Sequence, residues 1–165
     1  MFTIQELNAY SAQVRRRFAE KLASLPYAEV EKNREASFQS MKNVLLHMID
    51  NEDWMVNYVV RGRSADYRRH GWDEYADMHT VLDHLKDVED KTARYLRSTS
   101  EEQLSEKFSF TTSKGVRIEM SAEECLLQSF TEQLYHLGEL IALLWQDDIE
   151  PPQMQWFFNN PREAK

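Results

Sequence analysis

TEQLYHLGELIALLW, residues 131–145, places Leu134, Leu137, Leu140, Ile141, Leu143, Leu144 and Trp145 at the spacing of a buried amphipathic helix. The same stretch holds Glu132, His136 and Glu139. At about 100° per residue these three fall within about 60° of one another, on one side of the helix. A row of ionisable groups beside an apolar stripe is either wet surface or a site.

Working outward, Ser121 with Glu124 three places on forms a capping box that opens this helix, and Pro151-Pro152 stops it, giving a span of about 121–147. Before it the period changes. KFSFTTSKGVRIEM alternates Phe108 and Phe110 on one side of Ser113-Lys114-Gly115 with Val116, Ile118 and Met120 on the other, which predicts a β-hairpin over about 106–120. Thr3 with Glu6 is a second capping box, and Ile4, Leu7, Tyr10, Val14, Phe18 and Leu22 follow at helical spacing, predicting a helix over 3–24. Met41, Val44, Leu45, Met48, Glu52, Met55 and Val59 trace a second helix over 37–60. Met78, Val81, Leu82, Leu85, Val88, Thr92, Tyr95 and Leu96 trace a third over 75–98.

Four long helices and a hairpin in 165 residues suit one all-α domain over 1–165, with 149–165 as a tail. The short link between the first two helices makes them antiparallel neighbours, while the roughly 15 residues from Val60 to Glu74 allow the third to start parallel to the second. The expected architecture is an up-down-down-up four-helix bundle. Trp156-Phe157-Phe158 in the tail is expected to anchor against the bundle end or a second subunit.

With only 4 Gly and no Gly-rich phosphate loop, a nucleotide-binding sheet is disfavoured. A net charge of -8 argues against nucleic acid as partner, because that binding draws on Lys and Arg neutralising phosphates. No apolar run reaches the roughly 20 residues of a membrane span, and one cysteine, Cys125, excludes an internal disulfide, so a cytoplasmic setting is expected. Arg15-Arg16-Arg17, with Glu20 nearby, reads as a solvated helix face. Arg61, Arg63, Arg68 and Arg69 read as an ordinary exposed loop, the alternative being attraction of a small anion. His79 and His84 share no face and read as solvent-exposed; Cys125 reads as a small core residue.

The polar stripe has a counterpart. Taking His47 as the origin on helix two, Ser40, Asn51, Trp54 and Tyr58 fall within about 40° of it, beside the apolar stripe. His47 is about 10 residues from the start of its helix and His136 about 11 from the end of the last one. Antiparallel packing therefore brings the two imidazoles to one height. Two histidines and a carboxylate, Glu132, from two helices match an open divalent-metal site. The alternative is a helical ion pair between Glu132 and His136, with His47 a satisfied core histidine.

NVLLHMIDNEDWMV, the hairpin, and YHLGELIALLW together resemble the DinB/YfiT-like superfamily over nearly the whole chain. The resemblance implies an up-down-down-up bundle, a homodimer, and three ligands to a divalent ion such as zinc or nickel, carried over as His47, Glu132 and His136. Two departures stand out: Glu132 occupies a position that is most often histidine in the family, and Leu137 one where arginine is common. A carboxylate is a harder donor, shifting preference toward iron, manganese or zinc. The activity implied is that of a metal-dependent enzyme acting on a small-molecule substrate, transferring a low-molecular-weight thiol, with Glu139 or Tyr58 assisting as base or orienting group. The alternatives are a metal-dependent hydrolase, or a non-catalytic dimeric bundle whose metal site is structural or lapsed.

Overall fold

The computed structural model describes residues 2–112 and 114–159, the last two by backbone alone. Ser113 of the hairpin turn, the side chain of Phe158 and residues 160–165 of the tail lie outside the described residues. The chain is mostly helical. In order it forms α1 (Ile4–Ala23), α2 (Tyr27–Glu31), α3 (Met41–Glu52), a π-helical segment (Asp53–Val59), α4 (Met78–Ser98) and α5 (Glu101–Ser105). The antiparallel strands β1 (Lys107–Thr111) and β2 (Arg117–Ser121), the long α6 (Ala122–Gln146) and the short α7 (Trp156–Asn159) complete it.

Local chemistry sets the ends of the long helices. The Thr3 hydroxyl accepts from the Glu6 amide at 3.2 Å and the Glu6 carboxylate accepts from the Thr3 amide at 2.8 Å, so both capping bonds of α1 are made. Ser121 and Glu124 repeat the arrangement at the start of α6. Helix two starts at Met41 rather than 37, because Ser40 is its cap, accepting from the Asn43 amide at 3.2 Å, and Gln39 before it has φ of 71°. Likewise Asp77 caps α4, which begins at Met78 rather than 75. The hairpin pairs Phe108 with Met120 and Phe110 with Ile118, and Gly115, at φ 76°, allows the turn.

The second helix differs from expectation beyond Glu52. There the amide of Val60 donates to the Met55 carbonyl and that of Arg63 to the Tyr58 carbonyl, five residues back in each case, so the turn is wider than an α-helix. Residues in such a turn advance by less than 100° each, and positions after Asp53 fall behind the phase that α-helical counting assigns them.

The core lies where the long helices meet. Val14, Phe18 and Leu22 of α1, Met41, Leu45 and Met48 of α3, Val81 and Leu85 of α4, and Leu137, Leu140 and Leu144 of α6 are buried in one cluster. Ile4, Met55, Val56, Leu104, Cys125 and Leu126 form a second, on which the hairpin rests through Phe108 and Phe110. Cys125 is fully buried, as expected. Contacts between α3 and α6 run in opposite chain directions: Gln133 Nε2 donates to the Met48 carbonyl at 3.0 Å, and Cys125 Sγ to the Met55 carbonyl at 3.6 Å. Contacts toward α4 rise together, with Asp53 near Lys91, Asn57 bonded to Thr92 and Arg61 over the ring of Tyr95. The tail returns along α1, where Trp156 packs on Phe2 and Tyr10 and the Tyr10 hydroxyl donates to the Met154 carbonyl. No helix among the described residues is long and apolar enough to cross a membrane.

Two expectations about charged residues need correction, those for Arg15 and His84. Arg15 is not solvated: it has no exposed surface, and its Nη1 and Nη2 pair with Glu52 at 2.5 Å and Glu89 at 3.2 Å. It stands four residues before Ala19 and seven before Leu22, hence on the inner face of α1. Burial opposes its charge, but the two carboxylates outweigh burial and keep it protonated. Arg69 is exposed in its loop, as expected, and there it lies over Trp72 at 4.2 Å and bonds Asp50 at 2.9 Å. His84 is half-buried, stacked on Tyr75 with its Nδ1 2.6 Å from the tyrosine hydroxyl, whereas His79 is exposed as expected.

Replacing Arg15 by Ala strands two buried carboxylates and is expected to lower the unfolding free energy by about 3–5 kcal/mol. Arg16→Ala, at a position that is 56% exposed, is expected to cost no more than about 1 kcal/mol. Urea unfolding of the two variants checks the contrast. Ser121→Ala, which removes the cap of α6, is expected to cost about 1 kcal/mol in the same assay.

Candidate metal centre

His47 projects from the middle of α3, and Glu132 and His136 stand one turn apart on α6, so antiparallel packing of two helices is enough to make the three meet. The imidazole rings are 4.7 Å apart between centroids, nearly perpendicular. Nε2 of His136 lies 3.6 Å from Glu132 Oε2 and Nε2 of His47 lies 4.0 Å from the same oxygen. One donor atom from each of the three residues lies within 4.8 Å of the others.

Neighbouring groups hold each of them. Glu139, one turn after His136, places Oε2 3.0 Å from His136 Nδ1. With the proton on Nδ1 that bond is satisfied, and the Nε2 lone pair is left facing Glu132 and His47. Glu139 is fixed in turn by the Ser37 amide at 3.0 Å and the Ser37 hydroxyl at 2.7 Å. Burial pushes the Glu139 carboxyl up, but the bonds from His136 and Ser37 outweigh it and hold the group below the usual carboxylate range. Gln128, one turn before Glu132, donates to its Oε1 at 3.0 Å, which leaves Oε2 for the histidines. The ring of Phe38 lies flat on His47, 4.0 Å between centroids, and edges toward His136.

Burial of His47 lowers its pKa to about 4, with the positive potentials of His136 and Arg69 adding to the effect and Glu139 opposing it. A neutral imidazole forms no ion pair with Glu132, but it is the form that binds a cation. Bonds of about 2.0–2.2 Å in a tetrahedral site put donor atoms roughly 3.4 Å apart, so the observed separations fit a single divalent ion after small side-chain rotations. The side chain of Glu132 is 33% exposed and that of His136 5%, so the cluster is closed on the helix side and open to solvent past the carboxylate. Cys125 contributes nothing to it: burial pushes its thiol up to about 12, and the sulfur points at Met55.

The structure thus brings together His47, Glu132, His136 and Glu139, but not Tyr58. The tyrosine is 11 residues beyond His47, roughly 16 Å along the helix. It falls inside the π segment, whose lag in phase turns it away from the histidine stripe; its ring meets Tyr67 at 5.2 Å and the Arg63 guanidinium at 5.7 Å. Ser37, Phe38 and Gln128 escaped the sequence reading. Gln128 was open to it, lying four residues before Glu132, whereas Ser37 and Phe38 occupy the stretch expected to be the first turn of helix two.

Two comparisons bear on this geometry. No curated protein matches the chain. The family model of the DinB superfamily matches residues 11–140, a stretch that contains all three candidate ligands as well as Ser37, Phe38 and Glu139. The match spans well over half of the chain, from the middle of α1 to near the end of α6, and on that ground the protein belongs to the DinB superfamily.

Proposed function

We propose that the protein is a divalent-metal-dependent enzyme that transfers a low-molecular-weight thiol to a small electrophilic substrate, working from His47, Glu132 and His136 in an up-down-down-up four-helix bundle. The observation that carries the reading is the convergence of two imidazole Nε2 atoms on Glu132 Oε2, with the far nitrogen of His136 tied to Glu139. A histidine oriented by a carboxylate is the usual support of a metal ligand, and an ordinary surface ion pair has no need of it. Three protein donors leave a coordination position for a substrate.

A divalent ion held there supplies Lewis acidity, bringing the pKa of a bound thiol or water toward neutrality. The chain's own groups set the stage. His47 is neutral throughout the physiological range, so no proton must leave it on binding. Glu139 stays ionised and keeps the His136 proton on Nδ1, which gives it the part of orienting group rather than base. Phe38 walls one side of the cluster, and Glu132, harder than imidazole, favours zinc, iron or manganese over nickel. The choice of thiol transfer over hydrolysis rests on the family resemblance, as does the homodimer, while the cytoplasmic setting is inferred from the single cysteine, Cys125.

Metal analysis of protein purified without chelator is expected to give one ion per chain in the parent and none in His47→Ala, with the fold of the variant checked by circular dichroism. Metal-free parent of undiminished stability would overturn the reading. Glu139→Gln is expected to weaken metal affinity about 10–100-fold. Loaded protein is expected to consume bacillithiol or mycothiol in the presence of a halogenated aromatic electrophile; ester hydrolysis without thiol would assign the hydrolase alternative instead.

Acid stability of the chelated protein tests the His47 environment. Its folded pKa of about 4 lies below the ordinary 6.5, so as pH falls from about 6.5 to about 4 the unfolded chain takes up more protons and stability declines. His47→Phe, which keeps the stack on Phe38, is expected to flatten that decline in urea unfolding at stepped pH.

A further inference from the structure

Between the π segment and α4 lies a cavity of about 390 Å³ whose wall carries Arg61, Arg63, Lys91 and Arg94 together with Tyr58 and Tyr95, and no carboxylate. Four cations around one hollow are notable in a chain of net charge -8. Among the described residues, several positive side chains elsewhere are already spent on carboxylates: Arg15 and Arg16 on Glu89, Arg34 on Asp147, Lys86 on Asp90.

Around the cavity the arrangement differs. Lys91 pairs with Asp87 at 2.7 Å and lies 3.9 Å from Asp53, and Arg63 pairs with Asp66 at 2.9 Å, none of these carboxylates lining the cavity. Arg61 and Arg94 have no carboxylate within ion-pair distance among the described residues. Asp90, one turn before Arg94, feels its charge but is bonded to Lys86 at 2.7 Å. Aromatic faces position two of the guanidinium groups: Arg61 lies 5.1 Å over Tyr95 and Arg63 5.7 Å over Tyr58. A guanidinium laid on a ring keeps its in-plane N–H donors free, and those donors match the oxygens of a tetrahedral oxyanion in pairs.

We propose that this cavity binds the phosphate group of a small phosphorylated molecule. Its volume exceeds what one phosphate fills, and Asn57 and Ser98, which complete the wall, supply polar groups for the remainder of the ligand. The π segment shapes the hollow: its wider turn carries Asn57 and Tyr58, and the turn that follows it at Val60 carries Arg61. The acidic surface elsewhere repels a nucleic-acid chain, so the ligand is a small one. This site is separate from the metal centre, which lies between α3 and α6, and its occupancy does not depend on the metal reading.

Calorimetric titration of the full chain at fixed ionic strength, with inorganic phosphate, ribose 5-phosphate and ribose, tests the proposal. Saturable binding of both phosphates, tighter for the sugar phosphate, and none of ribose is expected; binding of inorganic phosphate alone would identify the free anion as the ligand of the same site. Arg61→Gln and Arg94→Gln are each expected to weaken binding at least about fivefold with unchanged melting temperature, because both residues are exposed. Lys32→Gln removes an equal charge at an exposed position beside Glu29, away from the cavity, and is expected to bind as the parent does. Absence of saturable binding, or affinity undiminished in both arginine variants, would overturn the proposal. So would loss of binding in His47→Ala, which would move the anion to the metal centre.

Discussion

A guanidinium sealed inside the protein must find its counter-charges there, and Arg15 finds them on two other helices at once. Glu52 of α3 and Glu89 of α4 both turn inward to meet it, so the rotation of each helix about its own axis is constrained by one side chain of α1. The consequences reach the site. With Glu52 facing Arg15, His47 lies five residues earlier and about 140° around α3, and that direction is where α6 packs. An apolar residue at position 15 would tolerate a slow rotation of α3; a charge that needs a partner at 2.5 Å does not. The triad therefore contributes less to net stability than to the single phase in which α3 presents its imidazole.

Immediately after Glu52 the helix changes pitch, and the two halves of the same element then serve different faces. Up to Glu52 the α-helical turn presents His47 to α6. From Asp53 the wider turn brings Asn57 and Arg61 toward α4. One helix of about 20 residues thus borders two sites of opposite character, a cluster of imidazole and carboxylate and a cavity lined by guanidinium and phenol.

Much of this was legible in the residue order, and what was legible followed rules that act over a few residues. The capping pairs Thr3–Glu6 and Ser121–Glu124, the alternation through Phe108, Phe110, Ile118 and Met120, and the turn between Glu132 and His136 are local, and the structure places them as read. The meeting of His47 with His136 was read from distances to helix ends: that from the end of α6 held to one residue, whereas α3 starts at Met41 and not 37, and it is the antiparallel packing of the two helices that still brings the rings together. What escaped depends on partners remote in sequence. Three consecutive arginines look like surface until one sees that Glu52, sitting in an otherwise apolar stripe, needs a buried cation. Ser37 to Ser40 looked helical, but Ser37 is drawn to Glu139 and Ser40 closes the helix end. Tyr58 was misplaced because counting at 100° per residue does not anticipate a π turn, for which the sequence carries no short-range mark.

Cys125 has a practical corollary. The single sulfhydryl of this protein is wrapped by Met55, Leu126 and Ile4, and its proton is held to about pH 12. It neither alkylates nor oxidises readily while the fold is intact. The folded polypeptide is therefore silent toward colorimetric sulfhydryl reagents, so colour in such a mixture comes from the added small molecule, and the onset of reactivity from the chain itself would report that the fold had opened.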